Sequence, residues 1–338
     1  TVLAMLGEHE AAAAEFALSK GVTTFHDAGA SFATIDLYRE LAEAGGLPVR
    51  LYAMVGGESV ERLAQELPRY RLVGHANHFL TVRAIKRMVD GALGSRSAWL
   101  LEPYADAPDS TGLVVDSLET IERTAELALA NGYQLNTHAI GDRANREILD
   151  LYERVQRGHD GRALRWRIEH AQHLHPTDVP RFARLGVIAS MQGVHASSDG
   201  PWVPKRLGEP RAGERTYVWR SLIDSGALVS NGTDVPVEDI DPLASFRASV
   251  TREMVNGQRF HPEQNMTRQE ALASYTWNNA YAGFEEDLKG SLAPGKLADF
   301  VVLDRDILRV PDAELASAHV LHTILAGRVV YSRAPQAP

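Results

Sequence analysis

The sequence contains no cysteine. That absence excludes disulfide frameworks, thiolate metal sites and a cysteine nucleophile together. Any metal must be held by His, Asp, Glu or a modified Lys, a hard to borderline donor set. No apolar run approaches the ~20 residues that a helix needs to span a bilayer. Positive charge is also short: 35 Lys and Arg stand against 44 Asp and Glu, for a formal net charge of −9. Nucleic-acid and anionic-membrane surfaces need clustered Lys and Arg, so neither partner is expected and small-molecule chemistry is. Low-complexity segments and internal repeats are lacking too. The opening stretch, TVLAMLGEHEAAAAEFALSKG, has no basic leading segment. It reads as an amphipathic helix closing at Gly21 rather than a signal peptide, which favours a cytoplasmic location. The first residue is not Met, and an upstream beginning is expected.

What is present is an ordinary globular balance: 338 residues, 44% hydrophobic and 23% charged, enough for one large α/β domain plus a small appendage. From Gly21 onward, short β-rich runs alternate with helical stretches. The runs cover 22–26, 49–55, 81–89, 133–138, 165–170, 187–192 and 228–234. Helical patterns fall at 31–44, 117–131 and 142–157, and the stops AEAGG and ALANG supply glycine where a helix should end. Nearly continuous apolar strands alternating with helices imply parallel strands buried on both faces. Seven such units are one short of a (β/α)8 barrel of the TIM type, and an open doubly wound sheet is the competing architecture. The barrel is favoured because polar residues recur at strand C-termini, where barrel active sites sit. The barrel is expected to occupy 1–278. Over 279–338 the pattern changes to GSLAPGKLADFVVLDRD and a hairpin-like HVLHTILAGRVVYS around Ala326-Gly327, which reads as a small β appendage. The stretch PWVPKRLGEPRAGER at 201–215 reads as a long loop able to lie over the active face.

The strand ends carry the chemistry. QLNTHAIGD ends on His138, RWRIEHAQ on His170 and LVSNGTDVP on Asp234, while Lys86 interrupts an apolar strand. Singly, each has an ordinary structural reading: a hydrogen-bonded His, a helix-capping Asp, a Lys snorkelling to the surface. Together they would meet on one barrel rim. A divalent metal held by two neutral imidazoles and a carboxylate keeps positions open for water and lowers its pKa to roughly 7. A nearby carboxylate can then carry the proton to a leaving group. A buried Lys is costly as an ammonium. As a neutral amine it can add carbon dioxide, giving a carbamate able to bridge two metals.

These stretches resemble the amidohydrolase superfamily, in the branch that includes N-substituted formamide deformylases. The matching segments are GVTTFHDAG at 21–29, IKRMVDGALGSRSA at 85–98, NTHAIGD at 136–142, IEHAQ at 168–172, MQGVH at 191–195 and NGTDVP at 231–236. The tail GSLAPGKLADFVVLDRD resembles the family's C-terminal β segment, which completes a sandwich with N-terminal residues. The resemblance implies Lys86 as a carboxylated bridging ligand, His138 and His170 as ligands, and Asp234 as ligand and general base. Zinc, as two ions, is the expected cofactor, and an N-formyl amine, N-acyl amine or cyclic amide is the expected substrate. The family's His-x-His pair at the first barrel strand is absent. His173 and His175 have the spacing but follow the IEHAQ motif, and His75 and His78 lie in a polar turn. The visible strands therefore correspond to strands two to eight, and the first strand and half the sandwich are expected to be missing.

Further residues are candidates for the pocket. His195 is expected to contact a substrate carbonyl oxygen. Arg96 would either pair with an anionic substrate group or brace its loop. His26 has a pocket reading and a structural one. Trp99, Tyr104 and Trp202 are candidates for an apolar wall. Asp90 and Asp142 read as helix caps or as orienters of the metal-bound histidines. Rival functions are deamination or isomerisation on the same scaffold, or a truncated, non-catalytic subunit; a homo-oligomer is compatible with the sequence.

Overall fold

The computed structural model describes residues 12–13 and 15–334. Part of the helix expected at the start, over 1–11 and at 14, lies outside the described residues. Seven parallel strands alternate with helices in the order anticipated. They begin β1 (Thr24–Ala30), α1 (Phe32–Glu43), β2 (Arg50–Val55) and α2 (Val60–Tyr70). A three-residue strand, β3 (Leu72–Gly74), precedes β4 (Leu80–Met88), α3 (Leu118–Asn131), β5 (Gln134–Ala139) and α4 (Asp142–Val155). The series closes with β6 (Arg167–His170), α5 (Val179–Leu185), β7 (Ile188–Gln192), α6 (Trp219–Asp224), β8 (Val229–Gly232) and α7 (Pro242–Thr251). The sheet order is β1-β2-β4-β5-β6-β7-β8, with β3 paired antiparallel to β4. It curls as an incomplete barrel. Among the described residues β1 and β8 each have a strand neighbour on one side only.

The in-out alternation of each strand decides what faces the barrel interior. Ala53, Val55, Ile85, Leu135, Ile168 and Ala189 point outward into the main core under the helices. Tyr52, Met54 and Ala84 form a separate cluster on the opposite face. Helix starts follow local chemistry: Ser31, Ser59 and Ser117 each accept a backbone N–H at the N-caps of α1, α2 and α3, which satisfies an otherwise orphaned donor. Gly132 ends α3 in the left-handed region, where a side chain would be strained.

Two expectations need correction. The first strand runs on to Ala30, so His26 lies within it rather than at its end. The stretch 201–215 is not a plain loop. It holds short helices at Val203–Leu207 and Glu209–Arg215, each with a proline in its first turn and Gly208 at φ +78 between them. Proline near a helix start is tolerated because its missing N–H is unneeded there.

The appendage is a three-stranded antiparallel sheet of β9 (Phe300–Leu303), β10 (Val320–Leu325) and β11 (Arg328–Ser332), in the order β11-β10-β9. Its hairpin turns at Ala326 and Gly327, both at positive φ, the conformation that matches strand twist. A second sheet, which would make a sandwich, is not seen among the described residues. The appendage is tied to the barrel by Arg50 of β2. Its Nε and Nη2 donate to Asp299 Oδ2 and Oδ1 at 2.6 and 3.0 Å, with both side chains 2% exposed. Removing one partner of such a buried pair leaves a charge uncompensated. Arg50→Ala should lower the unfolding free energy by roughly 3–5 kcal/mol, read from urea denaturation; a change below about 1 kcal/mol, the range of an exposed pair, would contradict this role.

Candidate metal centre

The C-terminal ends of β4 to β8 open onto one cavity of about 1350 Å³. Lys86, His138, His170, His195 and Asp234 all line it. Strand register explains their meeting. Met88 pairs with His138 across β4 and β5, and Ala139 pairs with His170 across β5 and β6. The His138 and His170 rings lie edge to face, 4.5 Å between centroids. His195 begins a short helix after β7, and its Nε2 is 3.4 Å from Asp234 Oδ2. One ligating atom each from His170, His195 and Asp234 falls within 4.8 Å of the others. His170 (φ +75) and Asp234 (φ +59) both hold a backbone conformation unusual for residues other than glycine. Such strain costs on the order of 1–3 kcal/mol per residue and gathers at functional sites.

The free valences suit a metal. His138 Nε2 and His195 Nε2 are buried without a hydrogen-bond partner. His170 Nδ1 lies 2.8 Å from Gln192 Oε1. An amide oxygen only accepts, so Nδ1 carries the proton and Nε2 keeps its lone pair for a metal. Among the described residues Lys86 has no carboxylate within 4 Å. Burial lowers the Lys86 pKa, against the opposing charges of Glu169, Asp234 and Asp116. Burial, His170 and Lys86 hold His138 well below the ordinary imidazole range, and burial foremost brings His170 down to about 4. Both rings are therefore neutral ligands at pH 7. Burial alone would raise Asp234 and lower His195, but their close approach, 3.4 Å from Nε2 to Oδ2, and neighbouring charges reverse both shifts. A carboxylate and an imidazole of this kind can hold and pass a proton.

The wider candidates divide. Asp90 is buried and accepts backbone N–H bonds from Trp99, Ile140 and Gly141 at 2.8–3.0 Å. Its Oδ1 stands 3.5 Å from His138 Nε2, so it braces the loop beside that histidine. Asp142 starts α4 and fixes Leu101 N and Arg215. His26 lines the cavity wall, but it pairs in register with Tyr52, which pairs with Thr81, five residues before Lys86. Its Nδ1 meets Arg167 Nη1 at 3.1 Å, so it is an interior hydrogen-bonding residue.

Arg96 and Trp99 are corrections. Arg96 turns to Asp106, at 2.9 and 3.1 Å, and braces its loop. The Trp99 carbonyl accepts from Arg143 N and Ala144 N at the start of α4, with the Arg143 guanidinium 4.7 Å from its ring. That carbonyl would lie 2.0 Å from a Cβ at Gly141, so only glycine permits the approach. Tyr104 is buried and donates to Ala98 O. Trp202 does line the cavity. Gln192 was not singled out in the sequence, although the MQGVH motif contains it. Asp199 was also passed over, four residues beyond His195.

An incomplete (β/α) barrel with histidine, aspartate and lysine side chains gathered at one cavity defines the class. The chain belongs to the amidohydrolase family, whose model matches residues 4–331. It is 37% identical to Protein LONG AFTER FAR-RED 3 of Arabidopsis thaliana, covering 94% of this chain and 56% of that protein. It is 29% identical to N-substituted formamide deformylase of Arthrobacter pascens, covering 94% of this chain and 58% of that one. Among solved structures, an uncharacterized metal-dependent hydrolase from Pyrococcus furiosus superposes with a TM-score of 0.78 at 32% identity, covering 91% of this chain and 61% of that chain. The chain thus spans somewhat more than half the length of these relatives. No helix among the described residues is long and apolar enough to cross a membrane.

His173 gives a pH test outside the ligand set. It is fully buried beside Thr216 Oγ1, and burial pushes it from 6.5 down to about 3. Between those values the unfolded chain binds a proton that the fold excludes, so stability falls as pH drops through the window. From pH 7 to pH 5 this one group should remove about 2 kcal/mol. In His173→Asn the acid-induced loss, measured by urea unfolding, should shrink by that amount. Equal losses in the two proteins would show that His173 charges freely inside the fold.

Proposed function

We propose that this chain carries most of the active centre of a metal-dependent hydrolase that cleaves the C–N bond of a small amide-type substrate. The observation that carries the reading is the convergence of His138, His170, His195, Asp234 and Lys86 on one cavity, with unpartnered ligating nitrogens among them. Zinc is the natural ion for such a His and carboxylate set. When bound, it would polarise the substrate carbonyl and make a water acidic enough to react near neutral pH. His138, His170 and Asp234 would hold it. Lys86, lowered in pKa by burial, would add carbon dioxide through Nζ, forming an N–C bond and releasing one proton, and the carbamate would offer an anionic oxygen donor to the metal.

Asp234 is the proton carrier. Its carboxylate takes the proton from the attacking water and delivers it to the departing nitrogen, while His195, 3.4 Å from Asp234 Oδ2, faces the carbonyl oxygen. A formamide, an N-acyl amine or a cyclic amide fits this chemistry.

One observation favours a second reading, in which the chain is a scaffold completed by another segment: β1 and β8 each have one strand neighbour among the described residues. Hydrolysis of N-benzylformamide by the zinc-loaded 338-residue chain decides between them. Activity should vanish on chelation and return with zinc, and Asp234→Asn should lower kcat by about 10²–10⁴. Lys86→Gln should lose metal as well as activity. No hydrolysis by the chain alone, with activity appearing only on adding the missing segment, would favour the scaffold.

A further inference from the structure

One charged group in the cavity has no part in the ligand set or the proton path. Asp199 ends the short helix that His195 begins, and its side chain lines the cavity. Its Oδ2 accepts from Tyr217 Oη at 2.6 Å and from Gln172 Nε2 at 3.2 Å. Tyr217 is fully buried, and Gln172 follows the ligand His170 by two residues. The carboxylate is thus fixed from behind. Its Oδ1 takes no hydrogen bond from any described residue, and no Lys or Arg approaches it within 4 Å. Asp199 is half-buried and lines the cavity, so Oδ1 can accept from a ligand without displacing a protein donor.

The neighbouring wall is aromatic. Trp202 N donates to Asp199 O at 2.9 Å, and the Trp202 ring lines the same cavity. A Cβ at Gly94 would sit 3.4 Å from that ring, so glycine there leaves the ring edge uncrowded. Arg206 stands 5.9 Å from the ring but is neutralised by Asp106. A fixed carboxylate and an indole lining one cavity, three residues apart in the sequence, supply the chemistry that recognises an ammonium group, by charge-assisted hydrogen bonding and by attraction to the ring.

We infer that Asp199 and Trp202 form an ammonium-recognition subsite of this cavity, selecting amides whose non-reacting end carries a basic nitrogen. Gln172 and Tyr217 act as positioning residues that hold the carboxylate. The inference rests on the amide-hydrolase reading for its substrate class, and the test separates the two.

The probes are N-(4-aminobutyl)formamide and its neutral counterpart N-butylformamide, given to the zinc-loaded chain. The cationic formamide should be preferred in kcat/KM by about tenfold or more, the scale of one desolvated charge contact. In Asp199→Asn that ratio should fall to near one, and in Trp202→Leu it should fall part of the way. An unchanged ratio in both variants, or a preference of the parent protein for the neutral compound, overturns the subsite. If neither formamide is hydrolysed, the hydrolase reading fails but the subsite is still measured by calorimetric binding of the two compounds. Tighter binding of the cation, lost in Asp199→Asn, supports it; equal binding of both compounds by the parent chain overturns it. Should Asp199→Asn fail to fold, Trp202→Leu gives the same comparison.

Discussion

The site depends on the parallel register of β4, β5 and β6. Parallel pairing brings the C-terminal ends of neighbouring strands to one rim, and strand alternation sends every second side chain inward. Met88 opposite His138 and Ala139 opposite His170 set the height of the two histidines, and the left-handed backbone of His170 (φ +75) departs from the alternation that would turn it outward beside Ala139. A slip of one residue would turn a ligand into the helix layer and pull an outward residue such as Thr137 into the cavity. The outward residues prevent such a slip. Ile85, Leu135 and Ile168 are locked into the main core, and transferring each to a polar cavity would forfeit roughly 1.5–3 kcal/mol of burial. The apolar half of each strand holds the polar half in place.

What gathers at the rim is costly in the absence of a ligand. A buried imidazole nitrogen lacks a partner, His170 and Asp234 sit in left-handed backbone, and Lys86 has no carboxylate within 4 Å among the described residues. A stable core tolerates these costs, and ligation of a cation would relieve several together. The Gln192 amide oxygen accepts from His170 Nδ1 and so fixes the tautomer that leaves the Nε2 lone pair free. Asp90 does the same for loop geometry, gathering three backbone N–H groups beside His138.

Much of this was legible in the sequence, and what failed did so for physical reasons. The seven parallel strands were visible because their apolar runs are buried on both faces. His138, His170 and Asp234 stood out as polar residues ending apolar runs and Lys86 as one interrupting such a run, and the roles expected of them came from the resemblance to amidohydrolases. Arg96 and Trp99 misled because side-chain type does not report direction. Arg96 found Asp106 ten residues away, and the Trp99 carbonyl became the cap of α4. His26 does line the cavity, but from within β1, because the strand continues through Asp27 and Ala28, whose polarity and small size resembled a strand end. Gln192 and Asp199 were missed because one uncharged amide in a motif, or one Asp after a run of serines, carries no periodic signal; only Tyr217 and Gln172, brought in from other elements, reveal the role of Asp199.

The proposed function turns on Lys86 acting as a metal ligand in carbamate form, together with His138, His170 and Asp234. Crystals of the 338-residue chain grown with zinc and bicarbonate, measured on both sides of the zinc edge, test it most directly. The account predicts an anomalous peak about 2.0–2.1 Å from an imidazole nitrogen of the site, and density extending beyond Lys86 Nζ toward that ion. A bare Lys86 Nζ beside a cavity without anomalous signal, under the same conditions, would contradict it.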